Sequence, residues 1–218
     1  MPDKTENPNT GYIAALISAV FLSLTSIFIS YLDINYQLPA LVLAFWRELF
    51  VALILLTWFV LFKKDLLKGI KAHLGHLIAY GFVLALFNAL WTISVVYNGA
   101  AVSTVMAYSS AAFTALLGWL ILHESLNLPK IIAVALSLVG CALIVDALNL
   151  EVWRVNTIGI ITGILSGLFY ALYSLLGRTI SQRGLNTWTT LAFSFGVAAG
   201  FMFLINLFFG STLPGGAA

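Results

Sequence analysis

Charge is what this 218-residue chain has least of. Asp, Glu, Lys and Arg make up 8% of it, against roughly 25% in an ordinary soluble domain. Cysteine is nearly absent. The single Cys141, inside an apolar run, excludes an internal disulfide and any Cys-based metal cage. Long polar stretches are missing too: the widest gap between apolar runs is residues 63–76, too short for a separate catalytic domain. HExxH, GxSxG and the phosphate-binding GxxxxGK followed by Ser or Thr do not occur. No enzyme activity, cofactor or metal is expected. The ten Lys and Arg are scattered and the net charge is only +2, so nucleic acid is not an expected partner.

What is there in quantity is apolar. Hydrophobic residues make up 61% of the chain, and the mean hydropathy is +1.04. A soluble globule of this size cannot hide that much apolar surface, because surface area falls too slowly with mass. The solvent, and the main partner, is the lipid bilayer. A bilayer core of about 30 Å takes about 20 apolar residues as a helix. Seven runs meet or approach that length: 11–32, 39–62, 77–98, 100–122, 131–147, 157–177 and 188–209. The fold class is therefore all-α, a polytopic transmembrane bundle in the cell membrane.

The first run follows a polar stretch with one Lys and is too long for a cleavable signal core, so it is expected to stay as an anchor. With the N-terminus inside, Lys4, Lys63, Lys64, Lys68, Lys71, Lys130, Arg178 and Arg183 fall on the inner side and only Arg154 on the outer. That bias predicts a cytoplasmic N-terminus. Asp33, Asp146 and Glu151 then fall outside. His73, His76 and His123 fall near the inner surface, not spaced as metal ligands.

Shifted by 148 residues, the chain matches itself. GYIAALISAVFLSLTSIF at 11–28 lies over GIITGILSGLFYALYSLL at 159–176, with six identities, among them Ser18 over Ser166 and Phe21 over Phe169. The second copy begins after five crossings, an odd number, so it enters from the opposite side. The expected organisation is a cytoplasmic tail (1–10), a five-helix repeat (11–147), two helices of an inverted second repeat (157–209) and a C-terminal stub (210–218). Three helices of a full second copy are lacking, so a truncated sequence is expected. Inverted repeats recur in secondary transporters, with the cargo site near the midplane.

Three stretches carry a family likeness. LPALVLAFWRELF places a Pro near a helix start (Pro39) and an Arg partway along (Arg47). YSSAAFTALLGWLILHESL has a small-rich middle followed by Glu124. IIAVALSLVGCALIV has a late glycine, Gly140. In their order and spacing these resemble the EamA-like branch of the drug/metabolite transporter superfamily, across 11–209. The resemblance implies ten helices in two five-helix repeats. It also implies transport of a small metabolite by alternating access, with amino-acid export as the leading reading. The family usually has a Pro in the middle of the fourth helix. Here Ser110 or Ala111 stands at that place.

Several residues are candidates for the cargo site. Arg47 lies eight residues past Pro39, about 12 Å deep at 1.5 Å per residue. A charge at that depth costs about 2.5–3.5 kcal/mol on insertion scales and is expected to face the bundle interior. Arg47 either holds an anionic group of the cargo or anchors helices. Glu48 is either a proton-coupling acid or a structural partner. Adjacent helix positions do not face each other, so each is expected to find its partner on another helix. Gly81, Ala85, Asn88 and Thr92 form one small, polar face. Asn88 with Trp91 either lines the cavity or packs helices together. Tyr108 and Ser109 sit near mid-depth of the fourth run. Ser103, Ala107, Ala111 and Ala115 make one small stripe there. Tyr170 and Tyr173 have no aromatic counterpart in the first copy and are further candidate contacts. Gly159, Gly163 and Gly167, spaced by four, are expected to pack within the chain. Glu124, at a helix C-terminus where a carboxylate opposes the dipole, is expected to pair with Lys130, Arg178 or Arg183, as a gate or a structural tie. A non-transporting membrane scaffold remains the alternative, and the oligomeric state is open.

Overall fold

The computed structural model describes residues 8–62, 73–144, 150–183 and 185–209. Side chains at 8–10, 14, 15, 144, 150–155 and 209 are left undescribed. Lys4, Lys63, Lys64, Lys68, Lys71, Asp146 and the stub at 210–218 lie outside the described residues. The side chains of Glu151 and Arg154 do as well.

The described residues form helices and short turns, with no strand among them. The helices are α1 (Pro8–Tyr36), α2 (Ala40–Phe62), α3 (Leu74–Ala107), α4 (Ser110–Leu122), α5 (Leu128–Ile144), α6 (Leu150–Gln182) and α7 (Thr187–Phe209). Five apolar stretches are long enough to cross a bilayer: Gly11–Tyr36, Ala40–Phe62, Leu74–Leu122, Asn156–Gln182 and Thr187–Phe208. The third has 49 residues; as one straight helix it would reach about 74 Å, more than twice the hydrocarbon thickness. It folds back at Gly99, whose φ of 78° and ψ of 167° leave the helical region. Glycine is required there because L side chains rarely adopt such a φ. The reversal brings the Ser94 and Ser103 hydroxyls to 3.0 Å; nine residues of straight helix would hold them about 13 Å apart. The division between the third and fourth sequence runs thus falls at Gly99.

A second irregularity separates Ala107 from Ser110. Ser109 N–H donates to Met106 O at 3.0 Å and Ala111 N–H to Tyr108 O at 3.1 Å, i to i−3 bonds that tighten the turn. The interruption adjoins Ser110 and Ala111, where the resemblance implies a proline, and it forms without one. It also rotates the stripe expected on this helix: Ser103 is buried, whereas Ala111 is exposed and Ala112 takes the inner side.

Helix α6 lies along the α3–α4 hairpin. It runs antiparallel to the first limb of α3: Tyr80 meets Tyr173, Phe87 meets Tyr170, and the Ser94 hydroxyl donates to Gly159 O at 2.9 Å. Gly159, Gly163 and Gly167 face Asn98, Met106 and Ser109 so closely that an added Cβ would collide with them. The glycine row therefore packs inside the chain. Helices α2 and α7 are antiparallel neighbours. Asn206 Nδ2 donates to Leu41 O at 2.8 Å, Phe45 and Phe203 rings sit 5.9 Å apart, and Leu56 lies beside Gly196. Gly81 of α3 packs against Val197 and Ser194 of α7. By contrast α1 turns most of its side chains outward, from Tyr12 and Leu16 to Phe28, as a helix facing lipid can.

Candidate functional site

Helices α2 and α3 meet at a polar knot inside the apolar bundle. Arg47 Nη2 donates to Asn88 Oδ1 at 2.5 Å and to Glu48 Oε1 at 3.4 Å. Its guanidinium carbon lies 5.3 Å from the centroid of the Trp91 ring, within cation–π reach. Glu48 is fully buried, and its Oε2 has no hydrogen-bond partner. Arg47 finds the interhelical partner that its depth demanded. The contact with Glu48 corrects the expectation that neighbours on a helix cannot meet: their Cβ atoms diverge, but the long Arg side chain bends back along its own helix.

Asn88 is held in place from below and beside. It sits on the buried face with Ala85 and Thr92, and the Thr92 hydroxyl donates to Asn88 O at 2.7 Å. Trp91 packs with Ile29, Leu43 and Val95, joining α1, α2 and α3. Tyr173 packs on the cluster that includes Leu41, Ala44 and Ala85. Tyr170 lies between Phe87 at 5.0 Å and Tyr173 at 6.3 Å. The structure therefore draws Arg47, Glu48, Asn88, Trp91, Tyr170 and Tyr173 into one neighbourhood.

Tyr80 belongs to this neighbourhood and was not singled out in the sequence. It is buried and stacks on Tyr173, centroids 4.3 Å apart and planes 7° apart. Its signal was legible: Tyr80 precedes Asn88 by eight residues, about two helical turns, so both share one face. Ser109 is buried with its Oγ unpartnered, against Gly167. Tyr108 is 63% exposed and turns away from the Arg47 knot.

Glu124 lies at the far end of α4 beyond the span. Arg178 Nη1 donates to its Oε1 at 2.5 Å, and Lys130 Nζ stands 3.7 Å from Oε2. The Arg178 hydrogen bond holds the Glu124 carboxyl below the usual carboxylate range, with the charges of Arg178 and Lys130 adding to it. His123, in the left-handed region, ends α4. At the same end Arg183 Nη1 meets His76 Nε2 at 2.6 Å. A surface hollow of about 400 Å³ lies here, lined by Trp119, Leu120, His123, Glu124 and Ser125; it does not reach Arg47. Among the described residues no group of three or more His, Cys, Asp or Glu could hold a metal ion.

Comparison with known proteins agrees with this architecture. Residues 9–146 match the EamA-like transporter family. An uncharacterized transporter of Archaeoglobus fulgidus is 31% identical over 157 residues, 71% of this chain and 53% of its own length. One of Helicobacter pylori is 32% identical over 158 residues, 71% of this chain and 51% of its own. The chain thus spans about half the length of these curated relatives. No solved structure matches it. With the family match covering more than half of its residues, the chain belongs to the EamA-like transporter family.

Proposed function

We propose that this protein is part of a secondary transporter that moves a small metabolite, an amino acid or a close relative, out of the cell by alternating access. The observation that carries the reading is the Arg47–Asn88–Glu48 knot over the Trp91 ring. A guanidinium partway along a span is expensive unless it faces a partner, and its donors beyond Asn88 and Glu48 suit a cargo carboxylate. Tyr170 and Tyr173 supply apolar wall, and Glu48 is the coupling acid. Glu124 with Arg178 forms the tie that closes α4 on α6 at the inner side.

The antiparallel run of α2 against α7, helices matched by the 148-residue offset, supports an inverted repeat. The basic excess supports a cytoplasmic N-terminus. The test is flux in proteoliposomes loaded with a panel of radiolabelled amino acids and related metabolites, driven by a pH gradient. Saturable efflux of at least one compound is expected from the chain, or from a longer form carrying it, and Arg47→Ala abolishes it. Absence of flux across the panel in a folded full-length form would return the protein to the scaffold reading.

A further inference from the structure

A second buried carboxylate stands apart from the Arg47 knot. Asp33, in the last turn of α1, is 6% exposed, and its Oδ1 has no hydrogen-bond partner. Ser30, one turn earlier on the same face, also has an unpartnered buried hydroxyl. The face is the packed side of α1, where Ile29 and Leu32 join Leu43, Trp91 and Val95.

Three physical effects act against a bare carboxylate here. The group is largely shielded from water, with Oδ1 fully buried, and an unpaired buried charge is costly. It lies at a helix C-terminus, whose dipole repels anions, and α1 has no basic residue in its last turn. The charged groups on the neighbouring α2 are Arg47 and Glu48, which hold each other. The titratable group on the outer part of the first limb of α3 is the phenol of Tyr97. On α1 itself Tyr31 and Tyr36 are exposed and pack edge to face, 6.4 Å apart.

We propose that Asp33 is a proton-binding site, separate from Glu48, at the end of the bundle where α1 turns into α2. The ligand is a proton rather than a metal cation, since hard cations take a shell of several oxygens and one carboxylate with one serine hydroxyl does not make one. A proton from water adds to Asp33 Oδ1 and forms the neutral acid; the same O–H bond breaks on release, and no other bond changes. Glu48 lies eight residues into α2 and Asp33 three residues from the end of α1, so the two differ in depth by roughly 8 Å at 1.5 Å per residue. Asp33 is the more superficial, placed to exchange with water on the side that the charge bias makes external. The site requires no cargo, so it stands or falls independently of the transport reading.

Infrared spectroscopy of the full chain in lipid bilayers, with aspartate labelled by ¹³C at the side-chain carboxyl, reads this proton directly. A label-shifted carboxylic-acid band is expected that outlasts the bands of solvated aspartates as the pH is raised. It is lost in Asp33→Asn and kept in Glu48→Gln. In Asp33→Glu an unlabelled acid band replaces it, which serves if the Asn variant fails to fold. If the last labelled acid band to disappear persists in Asp33→Asn, or if all labelled bands of the unmutated chain disappear together as solvated aspartates do, the proposal is overturned.

Discussion

Among the described residues, two Arg–Glu pairs stand in opposite surroundings. Arg47 and Glu48 are 22% and 0% exposed and stand 3.4 Å apart. Arg178 and Glu124 are 55% and 36% exposed and stand 2.5 Å apart. Distance alone would make the second pair the stronger, but surroundings reverse that order. Water and salt screen the Glu124 pair, as they do most surface pairs. The knot around Arg47 sits where the effective dielectric is low, so each of its contacts counts for more and each missing partner costs more. An arrangement so expensive to bury is what the proposed cargo contact would use, whereas the Glu124 pair joins the end of α4 to α6 and α5.

The sharpest way to break this contrast is to remove the cation that faces the buried Glu48. Arg47→Ala leaves Glu48 buried without its partner, a loss of about 3–5 kcal/mol in comparable buried pairs. Thermal unfolding in detergent is expected to show a large drop in midpoint or a failure to fold. Arg47→Lys restores charge but not the planar fork or its stacking on Trp91, so it recovers only part of the stability. An unchanged midpoint in Arg47→Ala would show that the knot is not coupled.

Glu48→Gln separates chemistry from packing in the same place. The amide keeps the volume and removes the exchangeable proton. Proton-driven flux is expected to fall to background, while exchange of cargo at equal pH on both sides continues. A mutant with unmutated flux and pH dependence would remove Glu48 from the coupling path.

How far the sequence disclosed these features depends on how local their causes are. The reversal at Gly99 was legible, because a glycine interrupts an apolar stretch too long for one crossing. The depth of Arg47 was legible from Pro39 and the helix rise. Its choice of Asn88 was not, since pairing across helices depends on how α2 and α3 rotate against each other. Nor was the tightened turn at Tyr108–Ser109, because nothing at that point forbids helical hydrogen bonds as proline does. Asp33 read as an outer-surface residue for the same reason: burial at a helix end is set by the neighbours, here Leu43, Trp91 and Val95.

A smaller effect is expected from Trp91→Leu. The substitution keeps an apolar contact for Ile29 and Val95 but removes the aromatic face beneath Arg47, worth about 0.5–2 kcal/mol as a cation–π contact. The unfolding midpoint is expected to fall less than in Arg47→Ala. The double variant Arg47→Lys with Trp91→Leu should lose less than the sum of the two singles, the mark of a direct interaction. Strict additivity would mean that Trp91 only fills space.

The smallest change is expected at the exposed pair. Glu124→Gln removes the ionic part of the contacts with Arg178 and Lys130 while keeping the shape. Since the folded state holds the Glu124 carboxyl below the usual range, its contribution is fully present above the unfolded-state value and is lost as pH falls through the lowered folded value. The gap in unfolding midpoint between unmutated chain and Glu124→Gln should therefore be present at neutral pH and close in acid. It should also shrink in 1 M salt, where screening acts over about 3 Å. A gap that is insensitive to salt, or as wide as that of Arg47→Ala, would mean that the Glu124 pair is shielded from water, and the contrast between the two pairs would then fail.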